Sequence, residues 1–74
     1  MKRLVEMMEG EEGIVARIDG GDRLSRRLLA LGIVPGARVR IIRNGKMGPI
    51  ILDADGARIA LGRGVAEKIW VEIA

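Results

Sequence analysis

The chain has 74 residues, 31% of them charged, with a net charge of +3 and neither cysteine nor histidine. That length supports one domain, residues 1–74, whose small core must hold by packing because no disulfide can form. The composition, which also lacks tyrosine, removes the usual proton shuttles, thiol nucleophiles and soft metal ligands, and no enzyme is expected.

In chain order, Met1-Lys2-Arg3 is followed by Leu4-Val5 and then at once by Glu6, which breaks the apolar run of a secretory signal. Glu6, Glu9, Glu11 and Glu12 read as a solvated N-terminal turn; their spacing matches no calcium loop, and neither metal nor cofactor is expected. Ile14, Ala16 and Ile18 alternate with Val15 and Arg17, a strand pattern. Asp19-Gly20-Gly21-Asp22 is a turn, with Asp22 placed to cap a helix. From Arg23 to Leu31 the spacing of Leu24, Leu28 and Leu31 predicts a short helix with one apolar face. Gly32 sits where such a helix ends, and Pro35 prevents its continuation.

A rigid corner, Leu31-Gly32-Ile33-Val34-Pro35-Gly36, then turns the chain into a strand. There Ala37, Val39 and Ile41 alternate with Arg38, Arg40 and Ile42. A reversal runs from Asn44-Gly45 to Gly48-Pro49, and Ile50, Leu52 and Ala54 form the next strand. Asp55-Gly56 suits the positive φ angles of a type I′ hairpin turn, after which Ala57, Ile59 and Leu61 return. A single helical turn follows Gly62-Arg63-Gly64, and Ile69, Val71 and Ile73 point inward, with Trp70 on the outer face. Leu28 and Val39 are expected in the core. The sum is mainly β with one or two short helices, a small, partly open antiparallel β-barrel. The longest apolar run, residues 28–37, holds glycine and proline and is shorter than the roughly 20 residues of a spanning helix. A soluble, cytoplasmic protein is expected.

Charge supplies the functional signal. Residues 1–12 carry −2, residues 13–47 carry +6 and residues 48–74 carry −1. The basic middle suits an acidic partner. One such partner is RNA, bound by a small basic barrel of ribosomal or translation-factor type. That reading is weakened because Trp70 is the only aromatic residue, and single-stranded recognition relies on stacking platforms. Ser25, the only serine, has no base to activate it. Gly45-Lys46 and Gly62-Arg63-Gly64 lack the rest of the phosphate-binding and dinucleotide motifs.

Gly13-Ile14-Val15, Gly20-Gly21, the corner Leu31-Gly32-Ile33-x-Pro35-Gly36, Gly48-Pro49-Ile50, Ile59-Ala60-Leu61-Gly62-Arg63 and Ile69-x-Val71 occur in that order. This succession resembles the FeoA family of small ferrous-iron uptake proteins across nearly the whole chain. The resemblance implies an SH3-like barrel and a partner, a FeoB-type membrane permease with a GTPase domain. It implies a non-enzymatic role through protein contacts, with recruitment to the inner face of the membrane by that partner; homo-oligomers are compatible with it. A similar domain ends iron-dependent repressors of the DtxR type, but the upstream DNA-binding and metal-binding parts of such repressors are not in this sequence. No specific nucleic acid is expected. The candidate partner-binding residues are Arg23, Arg26, Arg27, Arg38 and Arg40, because arginine pairs carboxylates bidentately. Ile42 and Trp70 join them as apolar anchors, since exposed charge pairs alone contribute only about 0–1 kcal/mol.

Overall fold

The computed structural model describes residues 1–74. The elements are β1 (Lys2–Arg3), a 3₁₀ turn (Leu4–Glu6), β2 (Glu12–Ile18), α1 (Gly21–Ala30), β3 (Arg38–Arg43), β4 (Ile50–Ala54), β5 (Ala57–Leu61), α2 (Arg63–Ala66) and β6 (Ile69–Ile73). All pairings are antiparallel, in the order β1-β6-β2-β3-β4-β5. The sheet stays open between β5 and β1. Five strands were expected; the sixth is the two-residue β1, too short to carry a periodic signal.

Alternation decides what faces inward. Val15, Val39, Ile41, Leu52, Ile69 and Val71 are each no more than 1% exposed, and Leu28 from α1 joins them at 2%. The inward position before Val15 is Gly13, where an added Cβ would run into the Glu72 carbonyl and Val71 Cγ1. Glycine there lets β2 and β6 approach closely. Alternation with buried Gly13 and Val15 turns Ile14, 36% exposed, and Ala16 outward, and the register shift between Val15 and Arg17 brings Ile18 back to half-burial, so the expected set Ile14, Ala16 and Ile18 does not share one face.

Two residues expected inside are not. Ile73 is 37% exposed, and its cross-strand neighbour is the side-chain-less Gly13. Leu31 is 44% exposed because it is the C-cap, where the chain leaves the helix axis. The opposite surprise is at the N-terminus. Leu4 and Met7 are buried to 1% exposure or less, so the acidic turn is two-sided, glutamates outward and apolar side chains inward.

Helix α1 begins differently from expectation and ends as expected. Gly20 caps it at φ 118°, and Asp22 lies inside the first turn. A side chain at Gly20 would press on Leu24 and Lys68, so the backbone makes the entry, while Asp22 still favours the positive end of the helix dipole. At the other end Gly32, at φ 83°, donates to the Leu29 carbonyl at 2.9 Å, and Ile33 donates to that of Leu28 at 2.9 Å. This Schellman closure packs Ile33 beside Leu28. The corner then locks onto β2: Gly36 N–H donates to Val15 O at 2.8 Å and Val15 N–H to Ala37 O at 2.9 Å. The Asp55-Gly56 turn has both φ angles positive, at 49° and 91°, as a type I′ hairpin requires.

Candidate docking surface

The candidate residues fall into three neighbourhoods. On α1, burial of Leu28 and half-burial of Leu24 turn Arg23, Arg26 and Arg27 to solvent. None of the three has a carboxylate oxygen within 4 Å or a side-chain hydrogen bond. Arg27 borders a cleft of about 390 Å³ between α1 and the β5 end, walled by Leu24, Leu28, Leu31, Leu61 and Val65. Arg26 opens onto a second cleft on the other flank, with Leu29, Val34 and Pro35. Leu29 is 61% exposed.

On the sheet the pattern is different. Arg40 lies between Glu12 on β2 and Asp53 on β4, and Asp53 faces Arg58 on β5. Cross-strand partners share a face, so this row alternates sign across four strands. The Arg58 Nε and Asp53 Oδ1 atoms are 3.8 Å apart. Arg38 and Arg40 border a small cleft with Glu12, Asp53 and Asp55. Ile42 is half-buried beside a register shift between Ile41 and Arg43.

Trp70 is on the outer face of β6, as alternation predicts, but its polar edge and its ring are both engaged. Its indole N–H donates to Asp19 Oδ2 at 2.9 Å, and Arg17 Nε donates to Asp19 Oδ1 at 3.1 Å. The guanidinium carbons of Arg17 and Arg3 lie 5.1 and 5.9 Å from the ring centroid, within cation–π range. The indole N–H first, and Arg17 second, hold the Asp19 carboxyl below its ordinary pKa. Trp70 is a half-buried pin between β1, β6 and β2.

Sequence reasoning missed one polar cluster. Arg63, at the start of α2, donates through Nη2 to Asn44 Oδ1 at 2.9 Å and through Nη1 to Gly45 O at 2.8 Å. The Asn44 Nδ2 group donates to Val5 O at 3.0 Å and Met7 O at 2.8 Å, and its backbone N–H to Glu9 Oε2 at 3.0 Å. The cluster ties the N-terminal turn, the β3–β4 loop and α2 together. In the sequence Asn44-Gly45 signals only a reversal and Arg63 only a break between two glycines and part of the family resemblance, with nothing to link the two.

The N-terminal carboxylates go separate ways. Glu11 accepts from the Met8 N–H at 2.7 Å and from Lys2 Nζ at 3.1 Å, and those two contacts, in that order, lower its pKa. Glu6 is lowered by its side-chain hydrogen bond from Arg3 and by the Arg3 backbone N–H. No three acidic side chains converge into a metal-holding group. The chemistry on offer is electrostatic and apolar contact, and its unpaired cations suit carboxylates or phosphates.

Comparison with known proteins places this geometry in a family. Residues 2–73 match the FeoA domain model. A relative from Methanocaldococcus jannaschii, described as a candidate Fe(2+) transport protein A, is 48% identical over 64 residues, covering 86% of this chain and 77% of the relative. The crystal structure of an iron uptake regulatory protein, FeoA, superposes with a TM-score of 0.95 at 37% identity, covering 99% of this chain and 97% of that one. FeoA from Stenotrophomonas maltophilia, complexed with zinc and described as a procaryotic SH3 domain protein, superposes at a TM-score of 0.81 and 26% identity, covering 97% and 91%. The open, six-stranded SH3-like sheet described above therefore belongs to the FeoA family of ferrous-iron transport accessory proteins.

Proposed function

We propose that this chain is a non-enzymatic accessory of ferrous-iron uptake that binds a FeoB-type membrane permease and modulates it through protein contacts from the cytoplasmic side. Family membership supports the transport role. The observation that carries the docking mode is the set Arg23, Arg26 and Arg27, exposed on α1 without a carboxylate partner beside an apolar cleft. Unpaired arginines speed encounter with an acidic face, and the flanking leucines supply the apolar contact that exposed charge pairs lack. Arg38, Arg40, Ile42 and Trp70 belong to the same proposal as a weaker extension. Arg40 stands opposite Glu12 and Asp53 on the two neighbouring strands, Ile42 is half-buried, and Trp70 is held by Asp19 and two arginines. An engaged indole also offers RNA no free stacking platform.

The test replaces Arg26 and Arg27 together with glutamate. Folding and melting should stay near wild type, because neither side chain makes a polar contact within the fold, while stimulation of ferrous-iron uptake is lost. Wild-type uptake from the folded double variant would reduce the helix face to a solubilising surface.

A further inference from the structure

The open side of the sheet has one unguarded edge. Strand β1 is two residues long, whereas β5 runs five residues with no bulge in its register. A regular, exposed edge is a template for another strand. The register shows which backbone groups β5 leaves free. Asp55 donates its N–H to Arg38 O of β3, so β4 residues of that parity turn their backbone groups to β3, while Leu52 and Ala54 turn theirs to β5. The partners of Leu52 and Ala54 are Ile59 and Ala57. Arg58 and Ala60 therefore hold their N–H and C=O groups outward, and no other element of the fold bonds to them. Both residues are exposed.

We propose that this edge pairs with the β5 strand of a second copy, antiparallel about a two-fold axis through Ile59. That register sets Arg58 opposite Ala60 of the second copy, and Ala60 opposite its Arg58. The outward groups of the two strands then close four hydrogen bonds. A two-fold centred on Arg58 would put like charges directly opposite, which is unfavourable. One centred on Ala60 would rely on Gly62, whose carbonyl already accepts from the Ala66 N–H. Ile59, half-buried against the core, meets Ile59 of the second copy on the inner face. The hairpin turn of the second copy brings its Asp55 to the Gly62 end of the first, beside the cleft that Arg27 borders. Asp55 is exposed with no cation within 4 Å, and Arg27 has no carboxylate oxygen within 4 Å. The two-fold repeats that charge match on the other side. A register that pairs every free group, with complementary charge at both ends, selects a second copy over an unrelated strand. The inference stands without the permease reading.

Sedimentation equilibrium of the unaltered chain tests it, from about 10 µM to about 1 mM. Monomer should convert to dimer and stop there. Monomer throughout overturns the proposal, and so does a series of larger assemblies, the mark of β5 pairing head-to-tail with β1. Ala60→Lys changes an exposed side chain and sets lysine opposite Arg58 twice per dimer, so it should weaken dimerisation about tenfold. Met47→Lys adds the same charge at a loop residue 88% exposed and should leave dimerisation unchanged. Equal effects of the two would reduce association to net charge and overturn the edge contact. The chain has no cysteine, so a single introduced one reports the register. In Ile59→Cys the two thiols face each other at a non-hydrogen-bonded position, within disulfide reach, and should cross-link under mild oxidation. In Arg58→Cys they are offset diagonally by about 7–8 Å and should cross-link at least about tenfold more slowly. Comparable rates overturn the register and with it the proposal.

Discussion

Helix α1 and strand β3 each carry three arginines, Arg23, Arg26 and Arg27 on one and Arg38, Arg40 and Arg43 on the other. A strand brings neighbours with it. The register that pairs β3 with β2 and β4 sets Glu12 and Asp53 beside Arg40, and the row ends with Arg58. Two charges of each sign cancel along that row. No strand pairs with α1, so its arginines have only Asp22 of their own helix nearby, on the cleft that Arg26 borders, and neither set holds a carboxylate oxygen within 4 Å. Local charge density in a sequence therefore says little about free charge until the pairing register is known.

The comparison breaks most easily at the base of the helix. Leu28 is 2% exposed and also anchors the Schellman turn. Leu28→Ala is expected to cost about 2–5 kcal/mol, against a total near 5 kcal/mol for so small a domain. Chemical denaturation should show a sharply lowered midpoint, with the arginine face lost alongside. A shift no larger than that of Glu12→Ala would contradict the placement of Leu28.

On the sheet side, the register depends on the close approach at Gly13. Gly13→Ala pushes a methyl into Glu72 and Val71 and is expected to cost about 1–3 kcal/mol. A melting temperature within a degree or so of wild type would show that β6 yields easily.

Charge removal sharpens the contrast at smaller scale. Arg40→Gln leaves Glu12 and Asp53 without the cation between them and should cost about 0.5–1 kcal/mol. Arg26→Gln relieves repulsion on α1 and should be neutral or slightly stabilising. Paired thermal melts at low and high salt check both, since screening should shrink the difference between the two variants.

The smallest effect is acid sensitivity. Asp19, Glu6 and Glu11 all have lowered pKa values in the fold. Their contribution to stability is complete above the ordinary carboxylate range and is lost as pH falls through the lowered values. Trp70→Phe deletes the indole donor, the largest cause of the Asp19 shift, so its stability deficit should be greatest at neutral pH and narrow in acid. A deficit independent of pH would show that only packing was lost.

Most of the fold was legible because short periods report it directly. Val39, Ile41, Leu52 and Ile69 alternate, and Gly32 and Asp55-Gly56 mark turns whose φ angles are positive as required. What escaped depends on contacts distant in sequence. Leu4 and Met7 follow no strand or helix period, and Gly20 displaced Asp22 as the cap because Leu24 and Lys68 close in on it. Arg63 reaches Asn44 across 19 positions. The candidate surface was legible as a list of arginines but not as a surface, because cross-strand register separates Arg40 from the helix set, and Trp70 finds Asp19 across 51 positions.

The central claim is that the α1 arginines contribute more to docking than those of β3, where Arg40 faces a carboxylate on each neighbouring strand. It is tested most directly by ferrous-iron uptake in cells carrying Arg26→Glu/Arg27→Glu or Arg38→Glu/Arg40→Glu, each shown to be folded and equally expressed. The helix variant should abolish stimulation of uptake, and the strand variant should keep most of it. Equal loss in both, or loss confined to the strand variant, would contradict the account.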